Sequence, residues 1–523
     1  MLTEPIARMP APRAVDGADR HRFVPQPGVA LWLIAAGCGL LAFAIRATGL
    51  RRANDLFVDE LTYATFADQV AHGQLPRTDW VPFFLHPPAS MVLNGLVIKI
   101  FGLSGSAMDL VYDLRWVNAI LGSCMVVLAF LILRQLVSLP IALGGTIVLA
   151  LDPFVLRNDS RVMIETPATL LLMAGWCVLL AGSFGRPLRR GWLVEVAAGL
   201  LLGTALVTKD MTAVPGLATL VIGVLFRRTV QLWTAVRVIG PALVPYTVYL
   251  LAVNEAGQFP AWWAAKTFGI RRMVGLEQTT GFNATPEVQL TSRLIAEVPR
   301  FGTSYLLLAL CLPAGIVALT SGSARRRFIG IVAVCTGCLG AYAVAGGAAE
   351  EQFGYYVLVT SVLALAVTIA ELTERWPRTR AAVTAGAAVV ILITAFLGVS
   401  ARFVVDDGYP QARAWMAAHL LPAASVGVTG VTAEFAFPKY HVSPSLLELR
   451  DNNDRYVLTA SQPLRQGYGY AAPALLDWLS QHARPVFTTN CPTNGSIVVW
   501  ELNRPALIAA VDSGTLIPAV SRG

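Results

Sequence analysis

Two adjacent acids, Asp59 and Glu60, stand just past the first long apolar run of the chain. A carboxylate held beside a bilayer can take a proton from a hydroxyl. It is also costly there unless it is functional or paired. The same pair equally suits a helix N-terminus, with Asp59 near the N-cap and Glu60 in the first turn, both favoured by the helix dipole. Glu165 enters a later apolar run, with Asp159 nearby as a weaker candidate. Arg161 and Lys209 stand at ends of apolar runs, where a long cationic side chain either meets an anion at the interface or simply snorkels. The stretch 259–300 carries Trp262, Trp263, Lys266, Arg271 and Arg272. That pattern suits capture of a lipid phosphate or a mobile lid, and equally a plain interfacial helix. The sequence holds no His/Cys/Glu cluster with zinc spacing, no P-loop, no Ser-His-Asp arrangement and no dinucleotide fingerprint.

The elements that must hold these side chains are apolar helices. The chain has 523 residues, 55% hydrophobic and 14% charged, with a mean hydropathy of +0.60. Soluble chains carry about 25% charged residues. Together with repeated apolar runs of about 20 residues, this indicates an α-helical polytopic membrane protein. The net charge of +8 comes from arginines clustered in short loops between apolar runs. That is the pattern of cytoplasmic loops, and it excludes a nucleic-acid partner.

About eleven spans are expected, beginning near Val29, Arg115, Leu139, Met163, Gly191, Met211, Val236, Gly302, Phe328, Tyr355 and Arg380. Alternation puts Arg134, 186–190, Arg227/Arg228/Arg237, 325–327 and 375–380 on the side of the basic N-terminal tail, hence the cytoplasm. It gathers the unusual polar stretches 51–113, 157–161, 208–210, 254–300 and 350–356 on the other side. Residues 1–28 then form a cytoplasmic tail, 29–401 a transmembrane domain whose first extracytoplasmic loop is 49–114, and 402–523 an extracytoplasmic domain. In that first loop an amphipathic stretch, 61–72, and an apolar one, 88–101, read as helices lying along the membrane face. The last domain alternates short β-rich runs ("SVGVTGV", "RYVLTA", "PVFTT", "SIVVWEL") with helical segments, as a small α/β unit does. Of seven cysteines, six lie in apolar runs, the CxxC pair Cys335 and Cys338 among them, so no disulfide framework is expected. Sequons occur at Asn158, Asn283 and Asn494.

Asp59-Glu60 is followed by Tyr63, Ala67, Gly73 and then "WVPFFLHPPASMVLNGLVIKIFG". An acidic pair after the first span, a helix, a Gly-x-x-Pro turn and His-Pro-Pro opening an apolar helix that ends Phe-Gly resembles the protein O-mannosyltransferase and aminoarabinose transferase superfamily. "DLRWVNAILGSCMVVLAFLILRQL", "RNDSRVMIETPATLLLMAGW", "GTALVTKD" and "EQFGYYVLV" continue the resemblance in order across residues 29–372. It implies a GT-C fold membrane glycosyltransferase using a polyprenyl-phosphate sugar donor. Asp59 then takes the role of general base, and Glu60, the second candidate catalytic acid, orients a partner, holds Asp59 through a basic residue or simply caps the helix. Glu165 binds acceptor or sugar, or helps hold a divalent ion. For the donor phosphate and substrate the resemblance points to His86, Arg115, Arg161, Lys209 and Tyr356, with Lys266 and Arg271 from the basic stretch; His86 equally suits a hydrogen-bonded structural histidine, and Tyr356 an aromatic-belt residue. Arg115 has the alternative of pairing with Asp59 or Glu60. His86 departs from the lysine of the aminoarabinose branch, and Ala89 stands where a leucine often follows the prolines. No metal site and no required cofactor are expected, although a divalent cation is compatible.

The expected reaction is inverting transfer of mannose, arabinofuranose or another sugar to a hydroxyl of an envelope glycan, lipid or protein, in the plasma membrane with the site facing outward. Two other readings fit a polytopic chain. A transporter or flippase of lipid-linked sugars should show paired repeats and broken helices near mid-membrane, whereas here the acids lie at span ends. An envelope assembly protein that binds a partner through its last domain would leave Asp59 and Glu165 dispensable.

Overall fold

The structure is a computed structural model, and it describes residues 28–78, 81–184, 191–226, 229–277, 290–465, 469–515 and 517. The basic tail, the 186–190 turn, Arg227/Arg228 and Asn283 lie outside the described residues. Nine described helices are long and apolar enough to cross a membrane, and a bent pair makes a tenth. The chain is an integral membrane protein.

Helix α1 (Val29–Ala47) leads into the first loop, which holds α2 (Val58–Ala71), a short ribbon of β1 (Arg77–Thr78) and β2 (Val81–Pro82), and α3 (Ala89–Phe101). Both helices expected along the membrane face are present. Helix α4 (Ala107–Arg134) starts earlier than expected because Ser106 caps it, accepting from the Asp109 N–H while Asp109 reaches back to Ser106. The bent pair is α5 (Leu139–Leu151) and α6 (Pro153–Asp159), 58° apart. Pro153 cannot continue α5, and Asp152 restarts the helix by accepting from Phe154 and Val155 N–H, each at 3.0 Å. Helices α7 (Glu165–Gly182) and α8 (Gly191–Thr208) follow. The span expected near Met211 is short and interrupted, with a 3₁₀ turn at Asp210–Thr212 and a π turn at Val214–Ala218 before α9 (Thr219–Leu225). Pro215, which lacks an N–H, sits in the π turn.

Helix α10 (Leu232–Glu255) lies directly on α8. At Gly199 and Gly203, one turn apart, an added Cβ would run into the carbonyls of Val238 and Ala242. Small residues at this spacing let two backbones meet where lipid offers no hydrophobic drive. Then come α11 (Phe259–Met273), α12 (Leu290–Leu319), α13 (Ala324–Ala345), α14 (Glu351–Arg375) and α15 (Arg380–Phe403). Helix α12 kinks at Phe301, two residues past Pro299. The central helix is α14, packed on α12, α13 and α5, with Tyr355, Leu358 and Leu363 in the core of the bundle.

The remainder is a small sheet domain: α16 (Gly408–His419), β3 (Val426–Val428), α17 (Val431–Ala436), β4 (His441–Val442), α18 (Leu446–Asp451), β5 (Tyr456–Ala460), α19 (Ser461–Arg465), α20 (Pro473–His482), β6 (Ala483–Cys491), β7 (Gly495–Leu502) and α21 (Arg504–Asp512). Its strand order is β4-β3-β5-β7-β6, parallel from β4 to β5 and antiparallel from there to β6. All four β-rich runs are strands, and the two-residue β4 joins them. One face of the sheet shares a core with the first loop, where Leu61, Phe66 and Met91 meet Tyr409, Leu458 and Ile497. Fully burying a side chain of this kind is worth about 1.5–3 kcal/mol, so this shared core anchors the domain over α2. All seven cysteines are free, and both Asn158 and Asn494 are buried.

Candidate active site

The first turn of α2 separates the two acids. Glu60 is fully buried, and Arg115 on α4 grips it through Nε (2.9 Å) and Nη2 (2.8 Å). The same carboxylate accepts the N–H of Val162 at 2.9 Å and of Phe57 at 3.3 Å. Glu60 therefore caps α2 and pins the segment after α6. Asn118 completes that pin by donating to the carbonyls of Arg161 and Met163. Asp159 is likewise held inside the fold, between Arg46 at 2.7 Å, the Tyr355 hydroxyl at 2.6 Å and Thr166 at 3.0 Å.

Asp59 points the other way, into a cavity of about 1660 Å³ between the helix bundle and the sheet domain. Eight charged side chains line it among the described residues: Asp59, Arg157, Arg161, Arg272, Glu297, Arg300, Glu350 and Glu351. Six of them form three ion pairs: Arg157 with Glu351 (2.5 Å), Arg272 with Glu350 (2.8 Å) and Arg300 with Glu297 (3.8 Å). Asp59 makes no hydrogen bond or ion pair among the described residues. Arg161 is 3.9 Å from Glu60, which Arg115 already neutralises, and 3.4 Å from the Thr493 hydroxyl, and its Nε has no hydrogen-bond partner. The cavity thus offers one uncommitted carboxylate and one nearly uncommitted guanidinium. Burial raises the Asp59 carboxyl to about 7, with the nearby Glu165 adding to the rise and Lys209 opposing it.

Behind this wall a polar chain links four elements. Lys209 lies 2.8 Å from Glu165, donates to Gln352 at 2.6 Å, and sits 3.4 Å from His86 Nε2. Gln352 in turn donates to Glu350 at 2.9 Å. The Lys209–Glu165 contact is a close ion pair whose direction falls outside hydrogen-bond geometry, so both Glu165 oxygens lack a directed donor. His86 lines the cavity beside Tyr63, one helical turn beyond Asp59. Burial holds its imidazole well below the usual range, and Lys209 adds to that. It is therefore neutral, with Nε2 facing the ammonium.

Of the other residues singled out in the sequence, Lys266 pairs with Asp210 and donates to the Leu85 carbonyl at 3.1 Å, so it positions the chain next to His86. Arg271 is half exposed and pairs with Glu277; its neighbour Arg272 is the one that lines the cavity. Tyr356 is buried behind the lining residues Phe353 and Val357, and its hydroxyl has no partner. Arg157, Glu350 and Gln352 escaped the sequence reading. Arg157 had a signal, since it opens the polar stretch 157–161 that also holds Arg161. Gln352 had none, because an amide gains its meaning only from the lysine it meets.

The cavity also reaches down between α12 and α13, where Leu308, Ala309, Leu312, Gly340, Ala341 and Val344 form an apolar trough. Asp55, Asp406 and Cys491 bring ligand atoms within 4.8 Å of one another, a set compatible with a divalent cation. Their needs are already met within the chain, Asp55 by Asn494 (2.8 Å) and the Leu56 N–H (2.9 Å), Asp406 by Thr493 (2.6 Å). The cluster serves to fasten the sheet domain to the first loop.

The family model of dolichyl-phosphate-mannose-protein mannosyltransferases matches residues 37–274, a stretch that includes Asp59, His86, Arg161, Glu165 and Lys209. No curated protein matches the chain by sequence. Among solved structures, ArnT from Cupriavidus metallidurans in the apo state is similar at a TM-score of 0.57 and 15% identity, over 91% of this chain and 99% of that one. ArnT bound to undecaprenyl phosphate gives 0.54 at 15% identity with the same coverage. The archaeal oligosaccharyltransferase AglB from Archaeoglobus fulgidus, in complex with an inhibitory peptide and a dolichol-phosphate, gives 0.54 at 12% identity, over 90% of this chain and 74% of that one. The chain thus has the GT-C fold that it shares with ArnT and AglB, and its residues 37–274 match the mannosyltransferase family model.

Proposed function

We propose that the protein transfers a sugar, hexose or pentose, from a polyprenyl phosphate to the hydroxyl of an extracytoplasmic acceptor, with inversion. The observation that carries this reading is the charge inventory of the cavity. Among the described charged lining residues only Asp59 has no ion-pair partner, and Arg161 has only a 3.9 Å contact with a Glu60 that Arg115 already holds. In the reaction Asp59 takes the acceptor hydroxyl proton as the oxygen attacks the anomeric carbon. The bond from that carbon to the phosphate oxygen breaks on the opposite face, and the polyprenyl phosphate leaves with its charge on Arg161. A carboxyl that titrates at about 7 is well placed for the task, because a large share of it is ionised at neutral pH and that form is basic enough to accept the proton.

The neutral His86 is suited to orient a sugar hydroxyl, and the Glu165–Lys209 pair sets the field around Asp59. The apolar trough beside α12 and α13 suits the prenyl chain, which keeps the phosphate at the membrane face. The basic loops on the opposite face support an outward-facing site and an acceptor in the cell envelope, whether glycan, lipid or protein.

The test is transfer by purified protein in lipid, from a panel of radiolabelled polyprenyl-phosphate sugars to a cell-envelope extract. Label should move from one donor class into product with inverted anomeric configuration. Protein that binds polyprenyl phosphate yet transfers from no donor, with vesicle-entrapped donor instead crossing the bilayer, would replace this reading with transport.

A further inference from the structure

The cavity has two chemically different walls. All eight charged lining residues come from the bundle and first loop. The described residues of the sheet domain contribute none; beside Tyr409 of α16, its polar lining residues are Thr429, Thr432, Gln462, Tyr470, Thr493 and Asn494. They lie where β3 and β5 end and where β6 turns into β7, which is one end of the sheet. Crevices beyond the carboxyl ends of parallel strands are where α/β sheets hold ligands. The Gln462 amide and the Thr432 hydroxyl make no side-chain hydrogen bond among the described residues. Tyr470 donates to Glu434 at 2.5 Å, which fixes its ring at the cavity edge.

We propose that this wall, with Thr432, Gln462 and Tyr470 at its centre, binds the acceptor, and that the acceptor is an uncharged polyhydroxylated chain, a glycan. The inference rests on the transferase reading and names its acceptor class. Hydroxyl and amide groups match sugar hydroxyls as donor or acceptor, and a fixed aromatic ring offers an apolar face to a pyranose or furanose. An anionic lipid headgroup would bring charge to a wall that supplies no cation of its own, while Arg161, which reaches Thr493, faces the donor phosphate and the other cations of the cavity are paired. A buried anion left so would be strongly disfavoured. A peptide held by strand addition would need a sheet edge for its backbone, and the edges here are β4 and β6, whereas the cavity meets strand ends.

The test is saturation-transfer NMR on the full chain in nanodiscs without donor. The probes are neutral linear hexasaccharides of mannose, glucose and arabinofuranose, a phosphorylated glycolipid headgroup, and a Ser/Thr-containing peptide. At least one neutral hexasaccharide should bind, and the paired substitutions Thr432→Val and Gln462→Leu should weaken it by about tenfold or more, as loss of two hydrogen bonds does. Polyprenyl phosphate binding should be retained in that variant, which also shows that it folds. Absence of binding by every neutral sugar, equal binding to the variant, or capture of the headgroup or peptide in their place overturns the proposal. Loss of polyprenyl phosphate binding in the unmodified protein would instead count against the transferase reading, whatever the sugars do.

Discussion

Arg115 donates to both oxygens of Glu60, at 2.9 and 2.8 Å, with neither side chain exposed to solvent. That pairing resolves the acidic doublet: Glu60 belongs to the fold, and Asp59 is left to the cavity. Glu60→Gln should therefore act on stability. Removing one partner of a buried pair costs about 3–5 kcal/mol. We expect a lower unfolding temperature in lipid or detergent and poor recovery of folded protein, and the residual folded fraction should still bind polyprenyl phosphate. Wild-type stability of the variant would contradict the assignment.

The second prediction concerns pH. With the Asp59 carboxyl near 7, transfer should rise with pH through about 7 and level off above it, because only the ionised form accepts a proton. The effect on stability has the opposite sign. A carboxyl raised above its ordinary 3.8 holds its proton more tightly folded than unfolded, so this group's contribution to stability falls as pH rises through that interval. Asp59→Asn should then unfold at the same or a higher temperature than wild type at pH 8. Unfolding scans at pH 5 and pH 8 check this.

Lys209 tests the field around that carboxyl. It lowers the Asp59 carboxyl's affinity for protons while Glu165, Glu350 and burial raise it, and Arg272 also lowers it. In Lys209→Met the acid limb of the pH–rate profile should move to higher pH. A variant that loses rate with an unmoved limb would place Lys209 on the substrate instead.

For Arg161 the expected effect is on the donor. A charge-assisted hydrogen bond contributes about 1.5–3 kcal/mol, so Arg161→Met should weaken polyprenyl phosphate binding by about 10- to 100-fold. Arg271→Met, at a half-exposed residue paired with Glu277, should leave it unchanged. Titration of both variants with polyprenyl phosphate separates the two arginines.

Much of this protein is legible as a string, because apolar helices and alternating strands write their period into local sequence. The spans, both helices of the first loop and the β-rich runs of the last domain are all of that kind. What is not local is harder to read. The partner that decides the role of Glu60 is Arg115, 55 residues away. Arg271 and Arg272 are adjacent, and only the rotation of α11 tells which one faces the cavity. The interruption of the span near Met211 comes from a π turn, which a hydropathy profile averages away. Strand β4 has two residues, too few for any period. The lining of the sheet domain comes from loops and from short helices such as α17 and α19, where a threonine or glutamine carries no signal until the fold sets it opposite a carboxylate.

The most direct test of the central claim is transfer from the active donor by folded Asp59→Asn. Loss of a positioned general base lowers rate by about 10²–10⁴-fold. We expect a drop of that size with donor binding retained. Transfer at the wild-type rate would contradict the claim and reduce Asp59 to the first turn of a helix.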